Sequence, residues 1–355
     1  MKSVLGIALL LLGLIGAVSV AFDKELTDPA YVAKNRLGFD SGKVNELKQG
    51  QAITRRIETP NDAELVIGGA VFIEVPAEFV IENSRDILQT NRTSAVAEIG
   101  LFSNPPVMDD LREMTLEESD IDAIRNCSIG NCDMKLSASY ISKFRELDKN
   151  SPDYKEKAKE VFFDMILKYV DGYQKKGIES MLTYSDQDYT LSQQEEYRDI
   201  LLSSALLRDY DPGILKYLEE YPDYRLEEVE DYFFWVKQNF DNLRPITSLV
   251  HYCLFPPDSL RPAILTKSQL YASHYYEGSL EVSIIIPEKN NPEHSGCYLI
   301  YIKRARYDTL RRGSFLGIKS SKLRSGVENE VENLLRKTKR KVESLYHQSL
   351  QGSSQ

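Results

Sequence analysis

The sequence predicts an α+β fold, with an antiparallel β-sheet, a helical middle region and a long C-terminal helix. Three features predict it. Residues 271–286 (YASHYYEGSLEVSIII) alternate between an apolar and a polar set, as expected for a strand with one buried face. The middle of the chain has the apolar period of helices, and the chain ends in a helix with one apolar stripe. The composition, 42% hydrophobic and 28% charged, is that of a globular protein.

The N-terminus resembles an export signal. Lys2 precedes a long apolar run that ends in Ser19-Val20-Ala21, with small residues where a signal peptidase reads. We expect residues 1–21 to be a signal peptide; a retained N-terminal anchor is the alternative, because the apolar run is long. In both cases the body of the protein would be extracytoplasmic, secreted or periplasmic, in an oxidising space. Residues 22–48 show little periodicity and are interpreted as a linker.

The elements of the body follow from local patterns. Residues 64–75 (ELVIGGAVFIEV) predict a strand, and Pro76 is placed to start a helix over 77–89. Ser192 and Glu195 form a capping box that starts a further helix, which we expect to reach about Leu207. The remaining predicted helices begin at Ser151-Pro152-Asp153 and at Pro212, and the remaining predicted strands cover 94–102, 231–240, 245–255 and 296–310.

The C-terminal helix is predicted over about 324–346. Its apolar stripe consists of Val327, Val331, Leu334, Leu335, Thr338, Val342 and Leu345. Acidic residues come first and basic residues last, which matches the helix dipole. Residues 301–345 hold thirteen Lys/Arg and five Asp/Glu, a local charge of +8 in a chain of net charge −10, so general nucleic-acid binding is not expected. The basic end could contact a membrane surface or could simply be a solvated helix face. Residues 348–355 are interpreted as a disordered tail.

Two stretches of the chain carry a family resemblance. In AVFIEVPAEFVIENSRDI (70–87) a strand runs into a helix at V-P-A-E, and in 271–346 paired strands lead into the last helix. Both resemble the START-like (SRPBCC) helix-grip superfamily of lipid and hydrophobic-ligand binders. The resemblance covers roughly half of the chain and implies a curved antiparallel sheet that grips the C-terminal helix, within a domain at 49–347. The helical stretch at about 103–225 is longer than in the family and is interpreted as an insertion.

The resemblance implies a ligand cavity between the sheet and the C-terminal helix. The apolar side of 271–286 would face it, placing His274, Tyr276 and Gly278 there, with His251 on the next strand and Leu335 on the helix. His274 and Tyr276 could then orient the polar end of a ligand. The alternative for His274 is a buried histidine that is hydrogen-bonded to a neighbouring strand or helix.

The sequence contains no catalytic signature. None of its four histidines belongs to H-E-x-x-H, and neither G-x-S-x-G nor the phosphate-binding G-x-x-x-x-G-K-[ST] occurs. His251 and His274 could form a metal or acid–base pair if their strands are neighbours, but no cysteine or carboxylate spacing supports this. We therefore assign no catalytic residue, no metal ligand and no cofactor.

The four cysteines are expected to form one disulfide. Cys127 and Cys132, in NCSIGNC, flank turn-forming residues and predict a small bridged loop in an exported protein. In the START-like arrangement, strands 245–255, 271–286 and 296–310 would be consecutive neighbours. Cys253 and Cys297 would then lie at opposite ends of the sheet, too far apart to bridge, so both should be free and at least partly buried.

Three functions remain open at this point. The first is an exported START-like protein that encloses a lipid or another hydrophobic small molecule. The second is an enzyme on the same scaffold, with a cavity histidine as acid–base. The third is an envelope scaffold or interaction protein with a filled core. A continuous cavity above about 300 Å³ would favour the first two, and a packed interior the third.

Overall fold

The structure is a computed structural model that describes residues 24–240, 243–258, 261–289, 296–311 and 317–352 of the 355-residue chain. The predicted signal peptide, residues 1–21, lies outside these residues. Within the described residues the prediction of an α+β fold is confirmed: a large antiparallel sheet is combined with many helices, the last of them long.

Eight of the described strands form one antiparallel sheet, in the order β1-β2-β10-β9-β8-β7-β6-β3. Two further short strands, β4 and β5, pair with each other. The strands are β1 (Ile53–Ile57), β2 (Glu64–Ile73), β3 (Val96–Leu101), β4 (Thr183–Tyr184), β5 (Leu191–Ser192), β6 (Glu230–Gln238), β7 (Ile246–Phe255), β8 (Ala263–Ala272), β9 (Tyr276–Pro287) and β10 (Cys297–Tyr307).

The described α-helices range from single turns to one of 36 residues. They are α1 (Pro29–Tyr31), α2 (Ser41–Lys48), α3 (Ala77–Ser84), α4 (Ile87–Asn91), α5 (Glu118–Asn126), α6 (Ala138–Arg145), α7 (Tyr154–Lys176), α8 (Gln193–Leu202), α9 (Ala205–Tyr210), α10 (Pro212–Glu219), α11 (Asp308–Arg311) and α12 (Gly317–Gly352). A 3-10 turn or a π-helical turn occupies Lys24–Thr27, Val32–Arg36, Met108–Leu111 and Gly177–Ser180.

Helices cover both faces of the sheet, so its strands are buried on two sides. The side that carries Trp235, Leu249, Leu280, Val282 and Ile284, here called the insertion face, packs against α5–α10 and the N-terminal helices. The side that carries Phe234, Val236, Val250, Ile285 and Leu299, here called the grip face, is covered by α3, α4 and α12. The predicted stripe of α12 points to the grip face, where Val327, Val331, Leu335 and Val342 are buried.

The stretch 271–286 is not one strand, which corrects the sequence prediction. It contains the end of β8, a turn at Ser273–Tyr275 in which Tyr275 has a φ of 63°, and most of β9. Strand β8 was not expected from the sequence, because polar residues at Thr266–Gln269 fall on both of its faces and hide the alternation. The apolar side of β9 is also placed differently from the prediction: Leu280, Val282 and Ile284 face the insertion, not α12.

Within the described residues, the predicted linker (24–48) and the start of the predicted tail (348–352) belong to regular elements. Between Lys24 and Lys48 the chain forms short helices, and Leu26, Val32 and Leu47 are almost fully buried in the core of the insertion face. These residues show no period because the chain changes direction between short elements, with Asp28 and Asp40 capping α1 and α2. The predicted tail also begins inside α12, which continues through Gly352.

The cysteine prediction is confirmed, although its geometric reason was wrong. Cys127 and Cys132 form a disulfide with Cα atoms 4.5 Å apart, and Cys253 and Cys297 are free and buried. The extra strand β8 makes β7 and β10 antiparallel to each other and places them three strand spacings apart, about 14 Å. Cys253 and Cys297 are therefore separated across the sheet and lie on opposite faces, instead of at its opposite ends.

Candidate functional site

A cavity of about 500 Å³ lies between the grip face and α12. Strands β6–β10 form its floor, α12 forms its roof, and the segment between α4 and β3 borders one side. The charged residues among those that line it are Lys267, Glu281, Lys303, Glu330 and Lys337, and the apolar ones include Phe234, Val236, Phe240, Val250, Val331 and Leu334. A cavity of this size and mixed lining fits a small organic ligand.

The centre of the floor is a row of charges on three adjacent strands. The register places Lys303 of β10 beside Glu281 of β9, and Glu281 beside Lys267 of β8. The Lys303 ammonium lies 3.5 Å from Glu281 and 3.6 Å from Glu330 of α12, and the Lys267 ammonium lies 3.9 Å from Glu281. The row continues onto the roof through Glu330, so charge is present on both walls of the cavity.

These charges shift one another's ionisation. Burial disfavours the charged form of Glu281, but Lys303 and Lys267 outweigh it and hold the pKa of Glu281 below its ordinary value. Burial lowers the pKa of Lys267, since attraction by Glu281 only partly compensates for it and Lys303 adds repulsion. For Lys303 burial acts in the same direction, but Glu330 and Glu281 raise its pKa well above the ordinary value. Lys267 is thus the less well compensated of the two lysines.

Helix α12 is fixed over the cavity by contacts on two sides. The Lys337 ammonium donates to Ser94 Oγ at 2.6 Å, and the Lys341 ammonium donates to the Gln89 carbonyl, both beside the segment that leads into β3. On the opposite side Leu335 packs against β2 at Gly69. A Cβ atom at Gly69 would lie 2.6 Å from Leu335 Cδ1, so the absence of a side chain there lets the helix approach the sheet.

Several C-terminal basic residues are held by internal contacts. Lys339 donates to the Phe72 carbonyl at 2.9 Å and pairs with Glu343 at 3.0 Å, and Arg304 pairs with Glu64 at 2.6 Å. These contacts account for part of the local positive charge within the fold. Contact of this region with a membrane surface stays a prediction.

Only one of the five residues expected to bind a ligand lines the cavity. Tyr276 borders it, with its ring 4.7 Å from the ring of Tyr307 and 5.9 Å from the Lys303 ammonium. Leu335 is close by but fills the contact between α12 and β2. Gly278 faces the insertion, where an added Cβ would lie 3.2 Å from Ile200 Cδ1.

His274 is in the turn between β8 and β9, and not on a strand as predicted. Its Nδ1 lies 2.7 Å from the Asp133 carbonyl and its Nε2 lies 2.9 Å from Asp120 Oδ1, with the side chain 2% exposed. Both ring nitrogens therefore have partners in the insertion. This is the alternative that the sequence had left open for His274, and the histidine joins the turn to the insertion.

His251 is on β7 but faces the insertion. Its ring stacks on Phe233, with centroids 4.5 Å apart and planes at 7°. Its Nε2 lies 2.8 Å from Asp231 Oδ1 and 3.2 Å from Cys253 Sγ. The whole thickness of the sheet thus separates His251 from the cavity, and His251 and His274 do not form the pair considered from the sequence, since each has its own carboxylate partner.

Sequence reasoning missed the charged floor. Lys267, Glu281 and Lys303 each stand in the middle of a strand that is otherwise largely buried. A charge in such a position needs a partner or a wet space. That signal was present in the alternation of β9, whose polar set includes Ser279 and Glu281, but the polar side was expected to face solvent.

No family model, no curated protein and no solved structure matches this chain. Among the described residues no helix combines the length and the apolar character that are needed to cross a bilayer. The function of the cavity must therefore be argued from its own residues.

Proposed function

We propose that this protein binds a hydrophobic small molecule, such as a lipid, that carries a polar group, and encloses it between the grip face and α12. The observation that carries the proposal is the cavity of about 500 Å³, which lies within the size range of small-molecule sites and has both apolar and charged walls. Binding would act by enclosure, without a covalent step.

The walls favour an amphiphile. Phe234, Val250 and Leu334 offer apolar surface, and transfer of an apolar ligand segment from water onto them is favourable. Lys267 is part-exposed, and burial weakens its ionisation without a full countercharge. An anionic or strongly hydrogen-bonding head group near Lys267 would supply the missing interaction.

The order of elements supports the START-like hypothesis. Strand β2 leads through Pro76 into α3, five strands follow one another from β6 to β10, and α12 covers the same face as α3. The disulfide Cys127–Cys132 is consistent with an extracytoplasmic location. Export and the identity of the ligand belong to the proposal.

The two alternatives fit the structure less well. An enzyme with a cavity histidine would need one at the cavity, and the described residues that line it include none. A scaffold with a filled core would need a packed grip face. The insertion face has that character, but the grip face borders a partly open cavity.

The direct test is native mass spectrometry of the full chain purified from its own compartment, followed by lipid extraction. A stoichiometric apolar mass that leaves on extraction would support the proposal. Binding is then measured with a fluorescent fatty acid. Ser279→Trp, on the cavity floor, should reduce uptake at least tenfold, while Leu101→Trp, on the exposed part of edge strand β3, should not.

Asn333→Trp, at an exposed position of α12 that borders the cavity, serves as a second blocking variant that leaves the core untouched. Unchanged uptake in both folded blocking variants would refute binding at this site. Absence of any co-purifying mass together with no uptake by the wild type would refute the function.

A further inference from the structure

A second constellation lies on the opposite side of the sheet from the cavity. Asp231, His251 and Cys253 each direct a ligand-type atom to one place, and these atoms all lie within 4.8 Å of one another. The strand register produces the cluster. Asp231 of β6 is paired with Cys253 of β7, and His251 precedes Cys253 by two residues, which places both on the same face of β7. His251 and Cys253 are fully buried, and Asp231 is 19% exposed.

The arrangement is not that of a catalytic triad. In a triad the nucleophile and the carboxylate engage different nitrogens of the imidazole, so that a proton can pass through the ring. Here Asp231 Oδ1 and Cys253 Sγ both approach Nε2, at 2.8 Å and 3.2 Å.

Convergence of three different donors on one point is what a metal ion requires. We propose that Asp231, His251 and Cys253 bind one divalent transition-metal ion, with Zn²⁺ as the best match. Imidazole, thiolate and carboxylate are the ligands that Zn²⁺ uses in proteins, whereas magnesium and calcium prefer oxygen alone. One thiolate and one carboxylate would also balance the 2+ charge of the ion, so the complex would be neutral in a buried place.

The surrounding tyrosines hold the unused atoms of two ligands. The Tyr217 hydroxyl donates to Asp231 Oδ2, which leaves Oδ1 directed at the cluster. The Tyr173 hydroxyl lies 3.3 Å from Nδ1 of His251, which leaves Nε2 as the coordinating nitrogen. Groups that orient the ligands in this way are typical of metal sites.

The two separations from His251 Nε2 require only a small expansion, and the third lies within 4.8 Å. Zn–N and Zn–S bonds of about 2.0 and 2.3 Å at a tetrahedral angle place the nitrogen and sulfur about 3.5 Å apart, and nitrogen and carboxylate oxygen about 3.3 Å apart. The observed separations of 3.2 Å and 2.8 Å are hydrogen-bond distances, shorter by about 0.3–0.5 Å. Binding of the ion would release the Cys253 thiol proton to solvent and would require the Nδ1–H tautomer of His251.

The experiment uses Co²⁺ alone as a spectroscopic substitute for Zn²⁺, added to the full chain with its disulfide intact and after treatment with a chelator. We expect thiolate-to-cobalt charge-transfer absorption that saturates at one equivalent and disappears when Zn²⁺ is added. Cys253→Ser and His251→Gln should each abolish the band. Cys297→Ser is the matched control, because Cys297 is the other buried free cysteine and lies on the grip face.

The Co²⁺ titration of the wild-type protein tests the metal site even if Cys253→Ser or His251→Gln fails to fold. A folded wild-type protein without saturable charge-transfer absorption would overturn the proposal. So would a band that survives Cys253→Ser or that Cys297→Ser removes. Elemental analysis of the natively purified protein should find one zinc per chain, and the metal site can fail this test without any effect on ligand uptake in the cavity.

Discussion

The insertion face and the grip face belong to the same strands, yet one is packed with side chains and the other borders a partly open cavity. Adjacent residues of β6 show the difference. Phe233 faces the insertion and contacts the rings of His251, Tyr173 and Tyr221, whereas Phe234 faces α12 and lines the cavity. Consecutive side chains of a strand point to opposite faces of the sheet. The elements that cover each face then determine whether side chains fill the space above it.

One difference between the faces is the position of charge at the centre of the sheet. Around Trp235, Leu249, Leu280 and Ile284 the insertion face is aliphatic and aromatic, although Asp231 and His251 also stand on that face. On the grip face the same strands carry Lys267, Glu281 and Lys303 at one level. The apolar stripe of α12 cannot cover such a row tightly, because charged groups removed from water need partners, and only Glu330 of α12 pairs with the row among the described contacts. A long helix over a charged floor therefore leaves space.

The largest expected effect tests the two faces at adjacent positions. Phe233→Ala should lower the free energy of unfolding by about 3–5 kcal/mol, because it opens a hole among packed rings. Phe234 is also buried, at 2% exposed, but it lines the cavity, so we expect a smaller loss of about 2 kcal/mol for Phe234→Ala. Denaturant unfolding measures both, and equal losses would contradict the difference between the faces.

The second test compares adjacent leucines of α12. Leu335 is 1% exposed against β2, so Leu335→Ala should lower the free energy of unfolding by about 3 kcal/mol, within the usual range of 2–5. Leu334 is half-buried and lines the cavity, so Leu334→Ala should cost less than about 1 kcal/mol. Urea denaturation of the two variants checks the prediction, and a loss below about half a kcal/mol for Leu335→Ala would place the stripe at a surface.

Local signals predicted most elements of the fold. The start of α3 after Pro76, the start of α8 after Ser192 and the stripe of α12 depend on residues close together in sequence, and the structure contains each of them. Ser192 accepts from the Glu195 N–H, as in one half of a capping box, and α8 ends at Leu202 and not near Leu207. Strand β8 was missed because its alternation is lost when both faces are buried and both carry polar residues. The segment from Lys24 to Lys48 was missed because its burial depends on the distant helical insertion.

The site was predicted less well than the fold. The sequence indicated a cavity under the last helix but selected the wrong side of β9, because a turn at Tyr275 cannot be recognised from alternation alone. Pairing of Lys303, Glu281 and Lys267 depends on the register of three strands, which no local pattern determines. The H-x-C spacing of His251 and Cys253 was visible, but Asp231 joins them only through the pairing of β6 with β7.

The third prediction concerns the seat of α12 on β2. Gly69→Ala should lower the free energy of unfolding by about 1–3 kcal/mol, because the new methyl group would overlap Leu335 Cδ1 and crowd the Ile53 carbonyl, 3.1 Å away. Gly326→Ala, on α12 with no atom within 4 Å of the new Cβ, should instead stabilise by about 0.5–1 kcal/mol through helix propensity. Thermal unfolding distinguishes the two variants. An unchanged free energy of unfolding for Gly69→Ala would show that α12 does not pack closely against β2 at this position.

The smallest expected effect is the pH dependence that the charged floor contributes. The pKa of Glu281 is lowered in the folded protein, so its stabilising contribution is complete above the ordinary value of 4.5 and is lost as the pH falls through the folded pKa. Glu281→Gln removes that contribution and should flatten the loss of stability between about pH 5 and pH 3. Because Glu281 and Lys267 keep part of their surface on the cavity, we expect less than about 1 kcal/mol. Glu227→Gln, at an exposed position, should follow the wild-type curve. If Glu281→Gln and the wild type lose stability in parallel, the cavity is hydrated enough to screen the row, and Lys267 would have no unmet charge to offer a ligand.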